Sequence, residues 1–256
     1  MTQNLRSFTP TICKAMGVTP SEFAVMDTYS ELGELKGNIK KALIFCPDAF
    51  GYHALKKFPH MHQEILKSST HEVEVLSIFP SVTPVCFASL FSGATPAEHG
   101  IVKYSKPILT CDTLFDSLIR SGKKVAVIAV KNSSVDVIFR DRKMDYFSMD
   151  YDPLVTVKAL ELLAKNEHDV IVVYHQEYDD LLHDSGLFSE LAVKALEHHV
   201  DSWELLVRKA QEAWKENFLV AFTPDHGGHI DATHGMGDHG LDIPEDMELR
   251  HFFYIK

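Results

Sequence analysis

The stretch Phe218-Leu219-Val220-Ala221-Phe222-Thr223-Pro224-Asp225-His226-Gly227-Gly228-His229 decides how this chain is read. Five apolar residues in a row suit a strand buried on both faces. The run leads straight into an aspartate and a histidine. Adjacent residues within a strand point to opposite faces, but where the chain turns at the strand end both side chains can reach one centre. Carboxylate oxygen with imidazole nitrogen suits zinc, manganese or iron. Histidines at 226, 229, 234 and 239 are too many for ordinary loop polarity.

Working outward, Lys41 to Cys46 (KALIFC), Lys124 to Val130 (KVAVIAV) and Asp169 to Tyr174 (DVIVVY) are runs of the same kind. Glu72 to Phe79, Val135 to Phe139 and His251 to Ile255 read as further strands. Helical spacing covers Ser21 to Met26, Ala54 to Ser68, Pro84 to Ser92, Leu114 to Arg120, Pro153 to Lys165, and Leu187 to Glu216 with a break near Val200-Asp201. Continuous apolar strands separated by helices predict an α/β fold, a mostly parallel central sheet with helices on both faces. No Pro/Gly/Ser-rich linker divides residues 1–256, so they read as one catalytic domain, with 1–38 as an N-terminal arm. In such folds ligands bind outside the carboxyl ends of the strands. That rule selects Asp48, Thr83, the segment after Tyr174, and Asp225-His226.

At 45% hydrophobic and 24% charged, the 256 residues can build a sizeable core. A net charge of −11 and the lack of a basic stripe argue against nucleic acid and anionic membranes as partners. Cys13, Cys46, Cys86 and Cys111 show no C-x-x-C spacing, and read as thiols in a reducing compartment. Met1 to Gly17 has no signal-peptide pattern, and no stretch approaches the roughly 20 apolar residues of a membrane span. These features predict a cytoplasmic protein.

Each candidate residue also has a plainer role. Asp48 after a strand is usually a turn or cap residue. Thr83 before Pro84 is usually an N-cap, although a helix N-terminus is also where an anion binds and a nucleophile attacking phosphate would stand. Asp179 and His183, four apart, share a helix face, and Asp180 with His183 fits nearly as well. The plain readings weaken together, because four strand ends would gather all these groups at one sheet edge. Two metals about 4 Å apart, clamping attacking and leaving oxygens, would account for the set.

Phe79 to Ile101, FPSVTPVCFASLFSGATPAEHGI, resembles the alkaline phosphatase superfamily, closest to its nucleotide pyrophosphatase/phosphodiesterase branch. Thr83, Gly93, Pro96, His99, Gly100 and Ile101 match its nucleophile segment. Asp48, the Asp179/His183/Gly186 spacing, Asp225-His226-Gly227 and a late His-Gly before Pro244-Glu245 complete the pattern. The resemblance implies an alkaline phosphatase-like three-layer sandwich. It implies one divalent metal on Asp48, Thr83, Asp225 and His226, and a second on Asp179, His183 and His239, with His234 as the competitor for the last place. Zinc is favoured by the histidine share, with manganese as the alternative. The implied enzyme is a hydrolase of phosphodiester or nucleotide pyrophosphate bonds in small phosphorylated substrates such as nucleotides. Thr83 would be the nucleophile, forming a phospho-threonine intermediate. A phosphomonoesterase or phosphonoacetate-type hydrolase shares the ligand set, and a metal-retaining binding protein is the non-enzymatic alternative.

Some features depart from that pattern. Cys86 sits three residues after Thr83, where an asparagine holding a phosphate oxygen would be sought. The segment between His183 and Asp225 has no room for a specificity cap, which leaves the arm Met1 to Lys36 as a lid. Cys86-Phe87-Ala88-Ser89-Leu90 lacks the proline and arginine of the sulfatase C-x-P-x-R sequence. A structural role is expected for His99, and a solvated loop position for His229 and His234.

Overall fold

The computed structural model describes residues 3–256. Its first seven strands in chain order are β1 (Lys41–Pro47), β2 (His71–Leu76), β3 (Val125–Val130), β4 (Asp145–Met149), β5 (Val170–His175), β6 (Phe218–Phe222) and the short β7 (His229–Ile230). β8 (Gly237–Asp238) and β9 (Glu248–Ile255) follow. Seven of these form one sheet in the order β2-β9-β6-β1-β5-β3-β4. Only β9 runs against its neighbours, β2 and β6. The mostly parallel α/β expectation therefore holds, with β9 as the antiparallel exception.

Period-two alternation explains the unbroken apolar runs. Ala42, Ile44 and Cys46 of β1 enter the core on one face, and Leu43 and Phe45 enter the core on the other. β3 and β5 divide in the same way. Helices Phe8–Met16, Thr83–Ser92 and Leu114–Arg120 cover the first face. Helices Pro59–Lys67, Asp152–Lys165 and Glu190–Trp214 cover the second. Both faces are buried, so polar residues at this sheet appear chiefly where strands end. The register sets Pro47 beside His175 and Phe45 beside Phe222, which brings the ends of β1, β5 and β6 to one edge.

Several local expectations are corrected. The expected strand at Val135–Phe139 is a helical turn, Ser134–Ile138, because the Ser133 hydroxyl accepts the Asp136 N–H at 3.1 Å and starts a helix. Ser21–Met26 is not helical, and the Ser21 hydroxyl donates to the Ser92 carbonyl instead. The arm's helix is Phe8–Met16, which carries Phe8, Ile12 and Met16 into the core. Ala54–Ser68 divides at Pro59 into Tyr52–Lys57 and Pro59–Lys67. Glu190–Trp214 runs unbroken, since Val200 and Trp203 face the core while Asp201 faces solvent. Edge strand β4, half exposed and without a continuous apolar run, escaped the sequence reading.

The arm packs against the far end of the helix that begins at Thr83. The Thr9 hydroxyl donates to Leu90 O (2.7 Å), and Arg6 Nε donates to Gly93 O (2.8 Å). Residues 1 and 2 of the expected arm lie outside the described part.

Candidate active site

Thr83 opens the helix Thr83–Ser92 with Pro84 in its first turn. Its hydroxyl makes no capping bond. It lies 3.5 Å from Asp48 Oδ1 and 3.3 Å from His226 Nε2. His226 Nε2 is in turn 3.3 Å from Asp48 Oδ1 and 3.5 Å from Asp225 Oδ2. All four side chains are essentially buried. Ends of β1 and β6 and the start of one helix thus meet at one point.

A second group adjoins the first. His239 Nε2 lies 3.4 Å, and His183 Nε2 3.7 Å, from Asp179 Oδ1. The rings of His226 and His239 stack at 4.1 Å between centroids. The structure brings together Asp48, Thr83, Asp179, His183, Asp225, His226 and His239. His234 is left out: its side chain is 73% exposed and pairs with Asp231.

Three histidines share one arrangement. Nδ1 of His183 faces Gly237 O (3.1 Å), that of His226 faces Gly227 O (2.9 Å), and that of His239 faces Ser81 O (2.9 Å). A carbonyl only accepts, so each Nδ1 carries the proton. In the neutral ring each Nε2 then presents its lone pair to the carboxylates, which is the tautomer a metal ligand needs. Asp179 Oδ1 and Asp225 Oδ2 are buried with no hydrogen-bond partner. An orphaned carboxylate oxygen is costly to bury, and a divalent cation is the partner that would satisfy it. The donor set fits two such ions.

The electrostatics agree. Burial, then the nearby Asp225 and Asp179 charges, push Asp48 well above the carboxylate range, although Tyr174 donates its hydroxyl to the Asp48 carboxylate. Burial, then Asp179, push Asp225 up to about 7. Burial, then His239, lower His226 to about 3. Burial opposes protonation of His239, but its contact with Asp179 outweighs that and raises it to about 9. Burial also works against ionisation of Asp179, yet the same contact holds it below its ordinary value. Three carboxylates crowded at one buried point, two of them pushed up by burial and by one another's charge, make a strongly cation-seeking centre.

Local sequence builds this geometry. Gly227 passes so close to the Glu245 carbonyl that a Cβ there would stand 2.1 Å from it. Any side chain would push Asp225-His226 off the site. His99 has the expected structural role, with Nε2 3.0 Å from Ser89 Oγ and Nδ1 accepting the Ile101 N–H.

Three sequence expectations change. Cys86 does not line the cleft over Thr83: it is fully buried, with Sγ 3.3 Å from Ser77 Oγ. His229 is not a solvated loop residue. It pairs at 2.8 Å with the buried Asp246. The cleft over Thr83 includes Lys106, Lys131 and Asn132, and none of the described arm residues. Tyr174 and these cleft residues were missed; only their position at the ends of apolar runs or in the loops beyond could have signalled them.

The architecture defines the class. A murine ectonucleotide pyrophosphatase/phosphodiesterase 5, an inactive threonine-to-alanine variant in complex with AMP, superposes with a TM-score of 0.60 at 22% identity, over 75% of this chain and 58% of that one. A 2-O GAG sulfatase (BT1596) superposes at 0.59 and 13%, over 85% and 64%. Phosphonoacetate hydrolase from Sinorhizobium meliloti 1021 superposes at 0.55 and 15%, over 76% and 59%. The fold is that of the alkaline phosphatase superfamily. Within it, this chain belongs to the type I phosphodiesterase / nucleotide pyrophosphatase family, whose model matches residues 42–234. The match spans less than two thirds of the length of these solved chains. No protein of curated function matches the chain in sequence.

Proposed function

We propose that this chain is a metal-dependent hydrolase of phosphoric esters, cleaving phosphodiester or nucleotide pyrophosphate bonds through a phospho-threonine intermediate at Thr83. The observation that carries the reading is the Thr83 hydroxyl, uncapped and buried between Asp48 Oδ1 and His226 Nε2 beside the orphaned Oδ2 of Asp225. Asp48, Thr83, Asp225 and His226 would hold one divalent ion, and Asp179, His183 and His239 the other, zinc being favoured over manganese by the histidines. When bound, such ions lower the pKa of an attacking oxygen and neutralise charge on the leaving one.

Thr83 Oγ1, once deprotonated, forms a bond to phosphorus as the opposite P–O bond breaks and the leaving alcohol or phosphate departs. Water then attacks the same phosphorus, the P–Oγ1 bond breaks, and Thr83 recovers its proton. Tyr174, donating to Asp48, keeps that carboxylate aimed at Thr83. A nucleotide-like substrate is supported by the AMP complex of the murine relative. We further propose that residues 1–256 act as one catalytic unit, with the described part of the arm, 3–38, buttressing the nucleophile's helix. No helix among the described residues is long and apolar enough to cross a membrane. Four free cysteines, three of them buried, support a reducing, cytoplasmic setting.

The test is hydrolysis of bis-p-nitrophenyl phosphate against p-nitrophenyl phosphate by zinc-loaded protein. The reading expects preference for the diester, and loss of steady turnover in Thr83→Ala with metal content kept. Substantial turnover by Thr83→Ala would sink the covalent route. Metal without turnover of any phosphoric ester would favour a binding role.

A further inference from the structure

Between His226 and His239 the chain leaves the sheet as a hairpin of only two residue pairs, His229 with Asp238 and Ile230 with Gly237. Its tip, residues 232–235, is exposed. A hairpin this short does not hold its own place in water. Yet its second strand, β8, must place two things. One is His239, the next residue after it. The other is the Gly237 carbonyl, which takes the Nδ1 proton of His183 at 3.1 Å. Both histidines beside Asp179 thus depend on where β8 lies.

Asp246 fixes the hairpin at both roots. It is fully buried. Its Oδ1 lies 2.8 Å from Nδ1 of His229, the first residue of β7. Its Oδ2 accepts the Leu241 N–H at 2.8 Å, two residues past His239. The Leu241 carbonyl in turn accepts the Ser81 hydroxyl at 3.0 Å, and Ser81 O faces His239 Nδ1. Asp246 stands on the helical turn Pro244–Met247, which runs straight into β9 of the central sheet. One carboxylate therefore ties the excursion back to the rigid frame. The cluster around Thr83 has a different support. Asp48 follows directly on β1, and Asp225-His226 follow closely on β6. The Gly227 N–H bonds the backbone carbonyl of Asp246 (2.8 Å), not its side chain.

We infer that Asp246, with His229, is a positioning residue for the second candidate metal alone. It sets His239 and, through the Gly237 carbonyl, His183 against Asp179, and it leaves the ion beside Thr83 untouched. The inference rests on the two-metal reading above and adds what holds the second ion's histidines in place. The role needs two acceptor oxygens. Asparagine has one, and its amide N–H₂ would face the other donor, so it can hold only one root.

The experiment is a competitive chelator titration of zinc in two backgrounds that each keep one candidate ion. Asp225→Asn keeps the second, and His183→Ala keeps the first. Adding Asp246→Asn is expected to weaken zinc about 10- to 100-fold in the Asp225→Asn background, and less than about twofold in the His183→Ala background. Adding His229→Ala to Asp225→Asn should weaken zinc about tenfold. His229→Asn, whose side-chain amide can place a donor near where Nδ1 stands, should restore most of that loss. His229 is partly exposed, so this pair carries the comparison even where Asp246→Asn does not fold. Equal weakening in both backgrounds, none in either, or failure of His229→Asn to restore affinity would overturn the role. An unaltered chain that takes up no zinc would instead strike the two-metal reading, and the role with it.

Discussion

Two clusters of aspartate and histidine lie close together at the carboxyl edge of the sheet, and they differ in kind. In one, Asp48, Asp179 and Asp225 face His183, His226 and His239. In the other, Asp152 faces His175 and His199, all three buried. By proximity alone each could hold an ion. In the first cluster every histidine has its Nδ1 on a backbone carbonyl, and two carboxylate oxygens lack partners. In the second, both oxygens of Asp152 accept backbone N–H groups, from Gln176 (3.1 Å) and Glu177 (2.9 Å). His175 and His199 turn their Nδ1 atoms toward each other at 3.3 Å, His175 Nε2 lies 3.0 Å from Thr156 Oγ1, and His199 Nε2 has nothing to anchor it. A histidine that ligates a metal almost always has its other nitrogen held by an acceptor. What surrounds the side chains, more than the side chains themselves, separates the cluster suited to a metal from the one that is not.

The sharpest way to break this comparison is to neutralise one carboxylate in each cluster. Asp225→Asn is expected to lose one metal equivalent per chain and at least a hundredfold in diester turnover. Asp152→Asn is expected to keep the full metal content, read by elemental analysis after dialysis. Loss of an equivalent from Asp152→Asn would show that the second cluster also binds metal.

A smaller effect separates histidines within one loop. His239→Ala should weaken the ion shared with Asp179 and His183 by about 10- to 100-fold in a competitive chelator titration. His234→Ala, at an exposed position, should leave the titration curve unmoved. Equal effects from the two would mean that the loop rearranges on loading.

The smallest effect is a pH dependence. Burial, only partly offset by the Glu177 and Gln176 N–H groups, raises Asp152 from 3.8 to about 7. Between those values the folded state keeps a proton that the unfolded chain has released. Its contribution to stability is therefore complete below about pH 4, falls as pH rises toward 7, and is lost above. Urea midpoints from pH 4 to 8 should fall less steeply for Asp152→Asn than for the unaltered chain. An identical slope would mean that Asp152 ionises normally in the fold.

The site was more legible in the sequence than the local structure around it. Asp48, Thr83, Asp179, His183, Asp225, His226 and His239 were all named from strand ends, spacing and family resemblance, and the fold brings them within a few ångströms of one another. Their positions were readable because a strand buried on both faces must be apolar until it ends, which makes the first polar residue beyond it conspicuous. Strand β4 was missed because it carries no unbroken apolar run, and the helix Phe8–Met16 because Pro10 and the threonines on either side of it, poor helix formers, obscure its apolar stripe. The turn at Ser134–Ile138 was misread because β-branched residues suggested a strand, whereas one hydroxyl–amide bond at Ser133 started a helix.

Sequence alone thus determined the α/β alternation, the buried strands and the residue types gathered at the candidate site, since each depends on composition within a few consecutive residues. Tertiary structure decided the remainder. It turned Cys86 into the core, paired His229 with Asp246, brought His239 rather than His234 against Asp179, and set Lys106 and Lys131 in the cleft over Thr83. Those outcomes depend on which distant backbone carbonyl or carboxylate meets each side chain. No local pattern encodes that, because the partners lie up to 158 residues apart along the chain, as His239 does from Ser81.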